Sequence, residues 1–364
     1  MNVTIVGAGN GGLAAAADLS LRNFNVTLFE FPKFKGNIEP LLIKGVIGLS
    51  TLPSTGLPGG FAKPHRITTD MEEALREAEL ILVIIPAFAH MTCAREMAGH
   101  LKKGQRIVLM PGGFGGAILF SKCLQESGGP EEVLIAESST LPYACRKLDP
   151  SSVWIRGRKG VFDLAAYPKS NTSQILGTMK GLYPAVAEAR NVLETGLNNL
   201  NPFIHPPIVL MNVGSTERGD RVLFYHEGIT PSVQRLVEGL DQERLALGEG
   251  LGIPLQPAHE ILLSHYQHQG AQGNNFMEVA SRNPVYRWSE MPSTIDSRYL
   301  TEDIPMSLIP ICSMAKQIGT PSGVMESVIT LACQILGKDL KKGARTLNEL
   351  GLAGLSKEEI FNKL

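Results

Sequence analysis

The chain reads as an α/β protein, with a doubly wound, mainly parallel sheet in its first half and a mostly α-helical domain in its second. Three observations predict this. Residues 2–30 run as an apolar strand, a glycine-rich turn, an alanine-rich helix and a second apolar strand. Continuous apolar runs recur at 79–85 and 106–110, the pattern of strands covered on both faces by helices. After Pro184 strand-like runs largely stop, and helical periodicity covers 191–218, 230–251, 256–269, 306–318 and 321–337. The expected division is a first domain over 1–187 and a second over 188–364, a length at which one chain ordinarily carries two cores.

Each part of the opening segment has a physical job. Gly7 permits the tight turn out of the strand, Gly9 lacks the side chain that would block a pyrophosphate, and Gly12 lets the helix pack close to the sheet. Asn10 opens a helix over 10–22 whose first amides present the positive end of the helix dipole to phosphates. Glu30 ends the second strand, where an acid accepts hydrogen bonds from an adenine-ribose diol. This is the fingerprint of a Rossmann dinucleotide site. It favours NAD, because Glu30 repels a 2′-phosphate, while Lys33 and Lys35 are near enough to admit NADP.

The rest of the first half follows in order. The Pro/Gly-rich stretch 53–64 reads as a surface loop. Asp70 is the expected N-cap of a short helix over 70–78. Pro86 and Ala87 follow the strand at 79–85 at its carboxyl end, where open α/β sheets bind ligands, and are expected to line the nicotinamide half. Crossovers are expected at 89–101 and 116–126, and a further strand at 133–136. The glycine turn 111–116 offers clustered amides to a substrate carboxylate, Gly113 among them. Residues 152–167 read as a hairpin around Gly157 and Gly160.

Bulk properties narrow the partners. Lys+Arg number 34 against 35 Asp+Glu, a net charge of −1, so nothing points to nucleic acid or an anionic membrane surface. The longest apolar run, 80–89, is interrupted by Pro86 and too short to span a bilayer. The first strand begins at Asn2, leaving no room for a signal peptide, and the 5 cysteines are scattered without C-x-x-C spacing. A cytoplasmic protein with reduced thiols and no metal site is the expectation.

Two segments of the helical half stand out. Residues 198–207 hold three asparagines and three prolines inside a helical pattern, which is costly unless the local geometry is used. His205 directly precedes Pro206, so its backbone is expected to leave the α region. In 294–305, Arg298 is suited to clamp a carboxylate, and Glu302 and Asp303 each offer an acid to orient an imidazole. Spacing alone does not bring Asp303 to His205. A kink histidine and a solvated charged turn are the ordinary alternatives. Tyr225 and His226 are further candidates near a substrate; His65, His259, His265 and His268 read as surface residues and Met211 as core.

The chain resembles the opine dehydrogenases. The resemblance is carried by GAGNGG at 7–12, VIIPAFAH at 83–90, PGGFGGA at 111–117, ESSTLPYACR at 137–146, NPFIHPP at 201–207, FYHEGITPSV at 224–233, NPVYR at 283–287 and RYLTED at 298–303. It runs in order over nearly the whole chain. It implies an NAD(P)H-dependent oxidoreductase of CH–NH groups, which condenses an amino acid with a pyruvate-like α-keto acid and reduces the imine. It further implies His205 and Asp303 as catalytic dyad, Arg298 as carboxylate clamp, Ser139, Thr140 and Gly113 near the keto acid, and a homodimer. Two other readings stay open. One is a reductase of another small carboxylate, of ketopantoate or glycerol-phosphate type, which relies on a catalytic lysine. The other is a non-catalytic NAD(H)-binding sensor.

Overall fold

A computed structural model describes residues 1–364 as two compact units. The first comprises Met1–Gly112 and Gly116–Val192; the second comprises Gly113–Gly115 and Leu193–Leu364. The expected division at 187/188 thus stands against a compact boundary at Val192, and three turn glycine-segment residues, 113–115, count with the second unit.

The first unit holds twelve strands: β1 Asn2–Val6, β2 Asn25–Phe29, β3 Ile47–Thr51, β4 Gly60–Ala62, β5 Arg66–Thr68, β6 Leu80–Val83, β7 Arg106–Leu109, β8 Leu134–Ser138, β9 Tyr143–Asp149, β10 Ser152–Arg158, β11 Phe162–Tyr167 and β12 Val186–Glu188. Eight form the main sheet in the order β12-β11-β8-β7-β6-β1-β2-β5. Every pairing in it is parallel except β11 with β8. β1 sits between β2 and β6, so the connections on its two sides run to opposite edges, and the crevice at its carboxyl end is the switch point of the sheet. Ile5, Leu28, Leu82 and Val108 are fully buried there. Ala14–Ala17 on the helix Asn10–Leu21 are buried with them, since alanine lets a helix lie close to a sheet.

Two expectations for this unit are corrected. Residues 152–167 are not a hairpin: β10 pairs with β9 and β3 in a smaller sheet ordered β4-β3-β10-β9, while β11 enters the main sheet. The burial patterns give the reason. β10 alternates buried and half-buried residues, which suits a sheet with one covered face, whereas Leu164, Ala165 and Ala166 of β11 are buried in succession, which suits one covered on both. The Lys159 amide donates to the Pro142 carbonyl at 2.8 Å and so ties the connection elsewhere. The stretch 53–64 is not wholly loop either. It holds the short helical turn Pro53–Thr55 and β4, whose Ala62 is buried opposite Ile47. Asp70 does cap its helix, accepting from the Glu73 amide at 2.9 Å.

The second unit is helical. Its long helix Pro231–Leu251 starts at a Thr230 cap with Pro231 in the first turn and stops at Gly252, whose φ of +74° favours glycine. It packs against Asn201–Met211, Ile309–Ile318 and Gly323–Leu336. Two buried charges on it bond to surrounding segments. Both carboxylate oxygens of Glu243 accept from the first-turn amides of Val324 and Met325, at 2.7 and 2.9 Å. Arg244, fully buried, pairs with Asp241 and donates to the Leu197 and Gln256 carbonyls. The helical stretch 191–218 divides into Val192–Leu197, Asn201–Met211 and Val213–Arg218, because Asn198–Leu200 and Asn212 interrupt it. No helix is long and apolar enough to cross a membrane.

Candidate active site

In the first unit the glycine turn has the geometry a dinucleotide needs. Gly7 has φ +102°, and a Cβ there would lie 2.6 Å from the Ile84 carbonyl oxygen. A Cβ on Gly12 would lie 1.7 Å from the Gly7 oxygen, so the helix approaches only because the side chain is absent. Gly9 has open space where a Cβ would stand, and no side chain caps the first turn that begins at Asn10. These amides and this space fit a pyrophosphate. Glu30 is buried, its carboxylate accepting from the Ala8 amide at 3.1 Å, the Phe31 amide at 3.0 Å and Asn37 Nδ2 at 3.0 Å. A carboxylate has about four lone-pair directions, so one remains for a ribose hydroxyl. Pro86 and Ala87 follow β6 beside the turn, with the Ala89 amide closing on the Pro86 carbonyl.

Lys147 was not expected here. From β9 its Nζ donates to the Ala8 carbonyl at 3.1 Å, and its amide donates to Asn10 Oδ1 at 2.8 Å. Burial pulls its ammonium below the usual lysine range, partly opposed by Glu30 and Asp149. Lys33 and Lys35 are exposed. No sequence signal marks Lys147, because it reaches the turn from the second sheet.

Other expected residues carry structural bonds. The Ser139 hydroxyl accepts from the Asp163 amide at 3.1 Å, and the Thr140 carbonyl accepts from the Ser138 hydroxyl at 2.9 Å. Glu137, fully buried in the same segment, accepts from the Ala117 amide at 2.6 Å. Within the second unit, Gly113 has φ +74°, which favours glycine, and a Cβ there would stand 3.1 Å from Arg345 Nη1 and 3.3 Å from the Met306 carbonyl and Ser307 hydroxyl oxygens. The Phe114 carbonyl accepts from Arg345 Nη1 at 2.8 Å, and its amide points to the Met306 carbonyl.

The second unit brings His205 and Asp303 together. His205 Nδ1 is 2.8 Å from Asp303 Oδ2, and Nε2 is 3.2 Å from the Tyr225 hydroxyl. A carboxylate only accepts, so Nδ1 carries the hydrogen of the neutral ring and Nε2 is the nitrogen left for proton exchange. Tyr299 lies over the imidazole at 4.2 Å between centroids, and Phe224 meets it edge-on at 5.7 Å. The ring is thereby fixed in its plane and about its axis, with side-chain exposure of 11% for His205 and 13% for Asp303. Of the two acids offered by the sequence, Asp303 takes the histidine and Glu302 takes Arg298, whose Nε is 2.5 Å from Glu302 Oε2. The Arg298 side chain is 65% exposed.

Three sequence expectations change. His205 lies inside the helix Asn201–Met211 rather than outside the α region. The buried Phe203, Ile204, Ile208 and Val209 supply packing that outweighs the preference imposed by Pro206. His265 is buried, edge-on to Tyr266, because it falls on the inner face of Ala258–Tyr266. Met211 is 45% exposed, since it ends its helix rather than facing inward. His226 is exposed, and its neighbour Tyr225 is the one that reaches His205.

Known proteins match both halves of the chain. A family model for the α-helical domain of NAD/NADP octopine/nopaline dehydrogenases matches residues 188–336. One for the N-terminus of NAD-dependent glycerol-3-phosphate dehydrogenases matches residues 2–135. An opine dehydrogenase of Arthrobacter sp. (strain 1C) is 33% identical, over 97% of this chain and 95% of its own. Among solved structures, octopine dehydrogenase with NADH and L-arginine superposes with a TM-score of 0.79 at 21% identity, covering 100% of this chain and 98% of the other. The same enzyme with NADH and pyruvate gives a TM-score of 0.75 at 21% identity with the same coverage.

Proposed function

The chain belongs to the octopine/nopaline dehydrogenase family, and from that premise we propose that it joins an amino acid to pyruvate, with His205 and Asp303 as its acid–base pair. It is an opine dehydrogenase, an oxidoreductase dependent on NAD(P). The finer assignment, to the CH–NH subclass that makes N-(1-carboxyethyl)-type products, is part of the proposal.

The observation that carries the dyad is the 2.8 Å contact between His205 Nδ1 and Asp303. Condensation removes the keto oxygen as water, so a group must protonate that oxygen near neutral pH, and imidazole suits the task. Asp303 fixes the tautomer that leaves Nε2 for this exchange and stabilises the imidazolium. Arg298 spends Nε on Glu302, which aims the guanidinium; its terminal nitrogens serve a substrate carboxylate. The Ser139 and Thr140 hydroxyls and the Gly113 amide are assigned to the keto acid; Ser139 is oriented by the Asp163 amide, and the Thr140 carbonyl is held by the Ser138 hydroxyl. Bound NAD(P)H supplies the hydride. Gly7, Gly9, Asn10 and Gly12 seat its pyrophosphate, Pro86 and Ala87 border the nicotinamide half, and Glu30 favours NADH over NADPH. A cytoplasmic homodimer completes the proposal; light scattering at known concentration checks the subunit count.

The deciding experiment is a screen of amino acids against pyruvate with NADH. Oxidation of NADH that needs both substrates supports the reading. Equal turnover with pyruvate alone would make the chain a simple keto-acid reductase, and no turnover with tight NADH binding would make it a sensor.

A further inference from the structure

His205 Nε2 already has a partner, and that partner is built rigidly. The Tyr225 hydroxyl lies 3.2 Å from Nε2. Its ring stacks on Tyr286 at 4.0 Å and 13°, and Tyr286 meets the buried Tyr266 edge-on at 5.4 Å. Phe224 packs against Tyr225, Tyr299 and His205 together. A phenol with its ring fixed has little freedom in where its oxygen points. With Nδ1–H committed to Asp303, neutral Nε2 accepts, so Tyr225 is the donor in the resting ring.

That bond cannot persist when His205 works as an acid, because a protonated Nε2 no longer accepts. The Tyr225 hydrogen then turns to another acceptor. A substrate oxygen that Nε2–H addresses from the side of the Tyr225 hydroxyl, itself 3.2 Å from that nitrogen, would stand within hydrogen-bond reach of both donors. We propose that Tyr225 is a further catalytic residue, the second donor on the substrate oxygen that leaves as water. The proposal rests on the opine-forming reading and on His205 as the acid. In the step concerned, the carbinolamine C–O bond breaks with its electron pair going to oxygen. The Nε2 proton joins that oxygen to release water, and the nitrogen lone pair forms the C=N⁺ bond of the iminium. His205 ends neutral, and Tyr225 keeps its proton throughout, donating to Nε2 again afterwards. Two fixed donors on an oxygen that gains charge form the arrangement that stabilises such a step most.

The test is Tyr225→Phe, which keeps the stack on Tyr286 and removes only the hydroxyl. The probe is the product that the wild-type enzyme itself makes from pyruvate and its best amino acid. In the oxidative direction hydride leaves before any oxygen is added, so a single-turnover stopped-flow trace of NADH formation does not involve the proposed bond. Steady-state turnover includes hydration and breakdown of the carbinolamine and does. The expected result is single-turnover NADH formation within about 3-fold of wild type, with steady-state kcat down roughly 10- to 100-fold and KM little changed. Equal loss of both rates, or no loss of kcat, overturns the role of Tyr225. Full activity of His205→Ala would instead overturn the reading beneath it, so the two failures are separable.

Discussion

Replacing Asp303 by asparagine keeps the size of the side chain and removes its charge. In the native pair the carboxylate oxygen is 2.8 Å from Nδ1, and both side chains are nearly buried. That spacing puts the carboxylate and imidazolium charges about 4 Å apart, worth about 4 kcal/mol at an effective dielectric constant near 20. A loss of that size corresponds to roughly 10³ in rate. The remaining exposure and the amide's hydrogen-bonding capacity bring the expectation to about 10²- to 10³-fold in kcat. An amide can also present its NH₂ to Nδ1, which would select the wrong tautomer and act in the same direction. The assay is NADH oxidation at saturating pyruvate and amino acid, beside NADH binding by fluorescence titration. Because the Rossmann glycines and Glu30 belong to the other compact unit, NADH affinity should change less than about 2-fold. An Asp303→Asn enzyme within 3-fold of wild-type kcat would refute the idea that Asp303 charge-stabilises His205.

The other expectations are shorter. Arg298→Gln should raise KM for a carboxylate substrate about 10-fold or more, with a smaller change in kcat; an unchanged KM removes Arg298 from the binding site. Glu30→Gln should narrow the preference for NADH over NADPH, and Lys147→Met should weaken NADPH more than NADH, both read from the ratio of kcat/KM for the two cofactors. Glu243→Gln removes the charge that holds the Val324 and Met325 amides and should cost about 1–3 kcal/mol of stability in thermal unfolding. Arg244→Leu should cost about 3–5 kcal/mol, because it leaves Asp241 buried without its partner.

What the sequence discloses depends on how local the physics is. The glycine turn, its helix and Glu30 fall within one strand–helix–strand unit, so spacing alone identifies Gly7, Gly9, Gly12 and Glu30. Asp70 announces its helix for the same reason. His205 and Asp303 are 98 positions apart and meet through packing of the helical unit, which no periodicity encodes; only family resemblance paired them beforehand. The partition of the two neighbouring acids, Glu302 to Arg298 and Asp303 to His205, depends on the turn into the wide helix Ile304–Leu308. Lys147 reaches the glycine turn from a sheet whose existence was hidden, because β10 and β11 look like consecutive hairpin strands until their burial is seen. Pro206 misled about His205, since a local backbone preference yields to burial of the surrounding apolar side chains, worth about 1.5–3 kcal/mol each.

The central claim is that His205 moves the proton in opine formation. His205→Ala, assayed with NADH, pyruvate and the amino acid selected by the screen, tests it most directly. Turnover is predicted to fall by about 10²-fold or more while the NADH dissociation constant stays within about 2-fold of wild type. Turnover retained within about 10-fold, at unchanged NADH affinity, would contradict it.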